Sequence, residues 1–529
     1  MDGLKRYPLA QISAQLVLLL GMLGLQACGV DARGSEPAGS SINCPPVQKT
    51  DSAAQRQLRA AWIATVTNID WPSKPGLPVA TQKQEFINLL DALRQMHMNA
   101  AIVQVKPAAD AFYPSHYGPW SQYLTGTQGK DPGYNPLAFM IEESHRRNLE
   151  FHAWFNPFRV SLQDDIQKLA PNHPARQHPD WVVSYGGKLY YNPGLPEVRT
   201  FVIQSILEVV KNYDIDAVHL DDYFYPYRVA GQDFPDQAAY QQYGAAHFPN
   251  KDDWRRDNIN RFMQDLAQSI KQAKSYVKLG VSPFGVWRNK SVDATGSDTT
   301  AGQTDYDDLF ADTRTWIRQG WLDYIAPQIY WNFGFPAAAY EKLVQWWSQE
   351  VRGKRVQLYI GQAAYKITNW SDSNEMPKQL QYNLTIHEVQ GSIFFSLKDL
   401  LANPHNIRDL LSNDIYKQPA LIPTMPWLAG KAPQSVAHLS TQQAGSAIVL
   451  HWQDTTNNNA AYYAIYRVES TQQCQTMLLD MTRKAGNNST QEFRDTTAVK
   501  GKTYTYYVTA LDRLHHESKV SAGIKITVR

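Results

Sequence analysis

Cysteine, charge of one sign and long apolar runs are all scarce in this sequence. Three cysteines in 529 residues exclude a small domain stapled by disulfides. With 51 Lys+Arg against 49 Asp+Glu, a net charge of +2, the chain lacks the one-sided basic field with which nucleic-acid binders neutralise phosphates. The apolar run Leu16–Leu25 falls well short of the roughly 20 residues that cross a bilayer, and no second candidate follows it. Phosphate loops of the GxGxxG or GxxxxGK(S/T) type are missing after any apolar run, and no HExxH motif or Cys/His cluster supports zinc. The sequence calls for no metal and no cofactor. What it has in quantity is aromatic surface, with 15 Trp and 29 Tyr against 18 Phe. Such a bias suits the stacking of flat, polar-edged ligands such as sugars, and equally a core that uses aromatics. At 43% hydrophobic and 19% charged, the chain can bury a sizeable core.

The amino terminus reads as an export signal: Lys5 and Arg6, then Leu16–Leu25, then Gln26-Ala27-Cys28, a charged region, a short apolar region and small residues before a cut. Leu25-Gln26-Ala27-Cys28 resembles a bacterial lipobox, which implies residues 1–28 as a lipoprotein signal and a lipid on Cys28. Gly29 in place of Asp after that cysteine implies the outer membrane of a Gram-negative cell, with the folded body in the periplasm. Residues 29–55, rich in Ser, Gly, Pro and Ala, read as a flexible tether. Lipidation leaves Cys44 and Cys474, which can pair only if the tail folds back across the molecule, so no structural disulfide is expected.

From Leu58 onward, short β-branched runs alternate with segments of helical periodicity, the rhythm of βα units. Eight strands are predicted: Leu58–Val66, Ala100–Val105, Phe151–Asn156, Ala217–Asp221, Leu279–Ser282, Tyr324–Gln328, Leu358–Gly361 and Ser392–Phe395. Phe86, Leu89, Leu90 and Leu93 place one apolar stripe on the first helix, leaving Lys83, Asp91 and Arg94 toward water. Eight units over residues 56–428 predict a (β/α)8 barrel, with a doubly wound open sheet as the structural alternative. Near Pro423–Pro433 the texture turns to Pro, Gly and Ala. Residues 434–529 then carry strand-like runs at Ile448–Trp452, Tyr462–Tyr466 and Tyr504–Leu511, the size and spacing of a β-sandwich.

Barrels of this type react at the carboxyl ends of their strands, which selects Asp70, Trp71, Lys106, Asp110, Asn156, Arg159, Asp221, Asp222, Arg288, Gln328, Trp331 and Tyr365. The most informative stretch is Ala217-Val218-His219-Leu220-Asp221-Asp222-Tyr223. With a side-chain period of two, Val218 and Leu220 share one face, and His219 and Asp221 share the other, toward the barrel mouth. Glycoside hydrolysis normally takes two carboxyl groups. Asp221 is the central candidate, with Asp222 or Asp110 as its partner, and capping of a strand end or a divalent-ion site are the competing readings of the pair. Asn156 and Arg159 are placed to bind sugar hydroxyls or an acidic substituent, or Arg159 to lock a neighbouring Asp. Tyr223, Tyr330 and the tryptophans Trp62, Trp71, Trp120, Trp287 and Trp331 make a candidate sugar platform, with burial in the core as the alternative for each. His219 reads as a cavity-side residue or as a hydrogen-bonded core histidine.

Leu58–Val66, Phe151–Arg159, Asp221–Tyr225, Gly280–Arg288 and Tyr324–Trp331, in that order, resemble glycosyl hydrolase-like family 10 from about Arg56 to about Leu411. The resemblance implies a (β/α)8 glycosidase of the bacterial envelope that cuts peptidoglycan glycan strands freed of stem peptides, a polysaccharide as its partner, and attachment to the membrane through the lipid. The run Thr503–Asp512 resembles the penultimate strand of fibronectin type III domains, where a Tyr at the position of Tyr504 closes a corner. Such an addition implies a spacer or a docking surface for a cell-division or envelope protein. The chain departs from barrel glycosidases that keep a Glu after strands four and seven: Gln362-Ala363-Ala364-Tyr365 offers none, so the acid and the stereochemical outcome stay open. The expectation is a lipid-anchored glycosidase. A non-catalytic envelope polysaccharide-binding protein and a hydrolase of a secreted exopolysaccharide are the alternatives.

Overall fold

The computed structural model describes residues 56–529 except 455–458, 471–473, 475 and 487–489. The signal segment, the tether, Cys28 and Cys44 lie outside the described residues. Strands β1 (Leu58–Ile63), β2 (Ala100–Lys106), β3 (Glu150–Phe155), β4 (Ala217–Leu220), β5 (Lys278–Val281), β6 (Tyr324–Ile325), β7 (Gln357–Ala363) and β8 (Val389–Phe395) pair in parallel. They close in the order β1-β8-β7-β6-β5-β4-β3-β2, a (β/α)8 barrel rather than an open sheet.

Alternation sorts each strand between two cores. On β1, Ala61 and Ile63 pack toward the helices with Phe86, Leu90 and Leu93, whereas Ala60 and Trp62 join Ala100, Ile102, Trp154 and Tyr324 inside the barrel. The first helix, Val79–Gln95, buries Phe86, Leu90 and Leu93. The helix ahead of β4, Pro196–Asn212, starts with Pro at its first turn and buries Val198, Val202, Ile206 and Val210. Gly280 on β5 is required by close approach: a Cβ there would stand 1.9 Å from the Tyr324 ring, so only glycine lets that tyrosine cross the barrel axis.

Beyond the barrel, Ala437–Ala444, Ala447–Gln453 and Thr490–Asp495 form one antiparallel sheet, and Thr476–Arg483, Tyr462–Glu469, Thr503–Leu511 and Ile524–Thr527 the other. Trp452, Tyr463, Ile465, Tyr506 and Val508 fill the space between them. Tyr504 accepts the amide of Val499 on its hydroxyl at 3.3 Å, closing a corner of the sandwich.

This domain packs on the amino-terminal face of the barrel. Arg94 of the first helix, expected in water, pairs with Asp480 at 2.8 Å, and Arg513 reaches Asp216 at 3.2 Å. Arg56, where the described chain begins, bonds Glu517 at 2.9 Å. Cys474 is disulfide-bonded, which corrects the expectation of no disulfide. The tail does fold back beside the start of the folded body, the condition under which such a bond becomes reachable.

Candidate active site

The carboxyl ends of the strands surround a cavity of about 420 Å³. Its lining includes Trp62 of β1 and Ala64 after it, Gln104 of β2, Trp154 and Arg159 at β3, Asp221, Asp222, Tyr223 and Tyr227 after β4, and Ser282 and Phe284 after β5. Gln328, Tyr330 and Trp331 follow β6, Tyr365 and Lys366 follow β7, and Phe395 ends β8.

Local folding explains how the carboxylates arrive there. Val218 and Leu220 are held in the helix-facing core, so His219 turns inward, stacking beside Tyr324 with ring centroids 5.8 Å apart. Asp221 follows at the rim. Its Oδ2 accepts the Trp154 indole N–H at 3.0 Å and the Asn156 amide at 3.1 Å, both from the adjacent β3. These donors fix the side chain before any ligand arrives. Burial and the neighbouring charge of Asp222 push the Asp221 carboxyl up to about 7, against the opposing pull of Arg159. Asp222 is also raised by burial; Tyr227, donating its hydroxyl to Oδ2, and Gln328 work the other way. The Arg159 guanidinium lies 4.2 Å over the Tyr223 ring, and its Nε is buried without a hydrogen-bond partner. Asp305, fully buried, accepts the Phe284 amide at 3.1 Å. Burial and the Asp222 charge hold it well above the carboxylate range.

Of the residues selected from sequence, the fold brings Asp221, Asp222, Trp62, Arg159, Tyr223, Gln328, Tyr330, Trp331 and Tyr365 to one cavity. Asn156 sits behind them as a donor to Asp221, and His219 lies below as the acceptor of the Trp62 indole N–H at 3.0 Å. Asp110 is not among the residues that line the cavity. It is buried beyond β2 with Oδ2 on the Gln128 amide at 3.0 Å, because the chain after Lys106 turns down and pairs Ala111 with Trp120. Asp70 is a staple: it accepts Ala64 N, Ser396 Oγ and Lys398 N, each at 2.8 Å, tying the end of β1 to the end of β8. Trp71 is fully buried against Phe86, and its indole donates to Gln82 O. Trp287 stacks on Trp346, and Arg288 is held by Asp307 at 2.8 Å. Trp120 packs half-buried on the helix-side core.

Sequence reasoning missed Trp154, Tyr227, Asp305 and Lys366. Trp154 was legible in principle, since the same alternation that turned His219 inward turns it inward on β3. Tyr227 and Asp305 come from loops, and Lys366 from the short helical turn Ala364–Asn369, with no periodicity to read. Among the described residues no group of three or more His, Cys, Asp or Glu is arranged to hold a metal ion.

The family described as glycosyl hydrolase-like 10 matches residues 57–378. The chain belongs to that family. A fibronectin type III model, the SaeA third domain, matches residues 436–529. Among relatives of this glycosyl hydrolase-like protein, the glycosyl hydrolase YngK of Bacillus subtilis (strain 168) is 58% identical over 481 residues, covering 89% of this chain and 94% of its own. The glycosyl hydrolase DigH of Escherichia coli (strain K12) is 38% identical over 426 residues, covering 76% of this chain and 95% of its own. Of solved structures, the PgaB (BpsB) glycoside hydrolase domain from Bordetella bronchiseptica aligns with a TM-score of 0.44 at 12% identity, over 69% of this chain and 100% of that one.

Proposed function

We propose that the chain hydrolyses glycosidic bonds in a cell-envelope polysaccharide, most directly peptidoglycan glycan strands stripped of stem peptides. The observation that carries this reading is the buried Asp221–Asp222 pair in a cavity walled by Trp62, Trp154, Tyr223, Tyr330 and Trp331. Two carboxyl groups, one keeping its proton near neutrality and one ionised, are what acid-assisted cleavage of an acetal takes. Asp221 carries the proton and delivers it to the leaving oxygen. Asp222, with Tyr227 donating to it, supplies the negative charge that a developing oxocarbenium ion or an attacking water takes. The aromatic walls hold sugar rings by their apolar faces.

Two cations fit the choice of polymer. Arg159 and Lys366 both line the cavity, and Lys366 is held by a backbone carbonyl, Tyr330 O, at 2.9 Å. Removing a stem peptide frees a carboxylate on every second sugar, which suits these cations. Lipid anchoring at Cys28 and a periplasmic location belong to the same reading, and loss of radiolabelled palmitate on Cys28→Ala tests them.

The full chain, solubilised, is incubated with purified glycan strands bearing or lacking stem peptides, beside Asp221→Asn. Fragments from stripped strands, reduced about 10²–10⁴-fold in the variant, are the expected outcome. Retention of glycan by both proteins with no fragments from either would make the chain a polysaccharide-binding protein. Fragments from a secreted exopolysaccharide alone would move the substrate.

A further inference from the structure

Beneath the cavity, the barrel axis holds a chain of buried polar groups that, below Trp62 of the cavity wall, the chemistry above does not use. The Trp62 indole N–H donates to His219 Nε2 at 3.0 Å. His219 Nδ1 and His152 Nδ1 lie 2.8 and 3.0 Å from the Tyr324 hydroxyl. His152 Nε2 is 3.0 Å from Glu150 Oε2, and Glu150 Oε1 meets Lys278 Nζ at 2.5 Å and His515 Nε2 at 2.9 Å. All seven residues are buried.

One proton arrangement satisfies this chain. An indole N–H only donates, so His219 Nε2 accepts, with Ser282 Oγ 3.0 Å from the same nitrogen. Burial holds His219 well below its ordinary range, so the ring is neutral with its proton on Nδ1, donated to the Tyr324 oxygen. The single tyrosine proton then goes to His152 Nδ1, and His152 donates from Nε2 to Glu150. Each donor along the axis points away from the cavity, toward a carboxylate that must be ionised. Burial would push Glu150 up, but Lys278, His152 and His515 outweigh it and hold the carboxyl well below its usual range. Asp216 and the phenol of Tyr462 also face this end of the chain.

His515 comes from the fibronectin-like domain. Its loop is braced by Asp512, whose Oδ1 accepts the amides of Leu514 and His516 at 2.9 and 2.8 Å. Leu514 packs in the apolar cluster inside the barrel, and the His515 ring stacks on Tyr462 with centroids 5.1 Å apart.

We propose that His515 is a positioning residue: the carboxy-terminal domain closes the amino-terminal end of the barrel and, through Glu150, fixes the proton arrangement that holds Trp62 at the cavity wall. The domain is then part of the working body of the enzyme rather than a tethered docking module. The link to activity rests on the reading of the cavity as a glycan site. Without the His515 donor, water reaches Glu150. Once Glu150 takes a proton from that water it donates to His152 Nε2, the His152 proton moves to Nδ1 and is donated to the Tyr324 oxygen, the tyrosine proton turns to His219 Nδ1, and the proton of His219 moves to Nε2. There it faces the Trp62 N–H, donor against donor, and the indole must leave its place.

The test uses the full chain as wild type, His515→Ala, His515→Gln and Glu150→Gln. Histidine-selective ¹⁵N NMR, with His219→Gln to assign the signal, reads the tautomer of His219, and kcat and KM are measured separately on stripped glycan strands. Wild type shows the Nδ1–H form. His515→Ala and Glu150→Gln populate the Nε2–H form and raise KM tenfold or more, whereas the amide donor of His515→Gln restores most of both. An unchanged tautomer and KM in His515→Ala, with only a lower unfolding temperature, would overturn the proposal. If His515→Ala fails to fold, Glu150→Gln and His515→Gln decide by the same two readouts. If wild type cleaves no glycan, the function reading fails while the tautomer alone decides this one.

Discussion

A carboxyl group that keeps its proton at neutral pH pays for that in stability, and at Asp221 both sides of the exchange are measurable. Its folded value of about 7 lies above the unfolded one, so the folded state binds the proton more tightly, and stability attached to this group is lost as pH rises from the ordinary Asp range through 7. Asp221→Asn therefore raises the thermal unfolding midpoint more at pH 8 than at pH 5. Turnover in the wild type falls as pH rises through about 7, because the proton of the pair is the one delivered. A pH–rate profile flat across that interval would remove Asp221 from the acid's role. Lys366 gives a second prediction. As a cation lining the cavity, with a backbone carbonyl as its partner, it is placed to meet an anionic sugar. Lys366→Met raises KM for stripped peptidoglycan strands about tenfold and leaves a neutral chitin oligosaccharide unaffected, read by competition between the two. Alternation along β4 made Asp221 legible from sequence, whereas Asp222, one residue further on, was selected only by its place at the strand's end. The site was illegible at Asp70 and Asp110, since a position after a strand does not say whether a carboxylate faces the cavity or a nearby backbone amide.

At the scale of elements, Gly280 and Tyr324 show how the barrel makes room for polar groups inside it. Tyr324 faces His219 and His152 across the axis, and the place a Cβ would take on Gly280 is occupied by its ring. Gly280→Ala forces that ring aside and destabilises the fold by about 1–3 kcal/mol. A urea titration reads this as a lower midpoint at unchanged slope. The eight strands were legible because short β-branched runs of four to nine residues repeat between amphipathic helices, and a closed barrel is the arrangement that buries all of them. The short sheet of Arg159–Ser161, Lys188–Tyr191 and Val182–Tyr185 was not legible. It lies in the long connection between β3 and β4, where polar and apolar residues alternate too briefly to separate a strand from a loop.

For the whole molecule, the question is whether two domains read from sequence fold as two. Sequence texture breaks near residue 430, and the fibronectin-like addition that follows implies a spacer or a docking surface. The contact surface contradicts independence. Arg513 crosses from the sandwich to Asp216 in the barrel, with its guanidinium 4.1 Å over the Tyr276 ring. Arg483 reaches Asp214 at 3.2 Å, Arg94 reaches Asp480, and Arg56 reaches Glu517. Leu514 and His515 are buried against barrel residues. Asp216 is itself buried and held well below its usual range, by His145 and Arg513 against the effect of burial, so removing Arg513 leaves a buried carboxylate with one partner fewer. Arg513→Ala is expected to cost about 2–3 kcal/mol. In scanning calorimetry the wild type unfolds in one transition that includes both domains, because neither keeps its buried charges paired without the other. Arg513→Ala lowers that single transition. Two separate transitions in the wild type, with only the upper or lower one moved by the substitution, would show that the sandwich and the barrel are stable apart and that the surface between them contributes little.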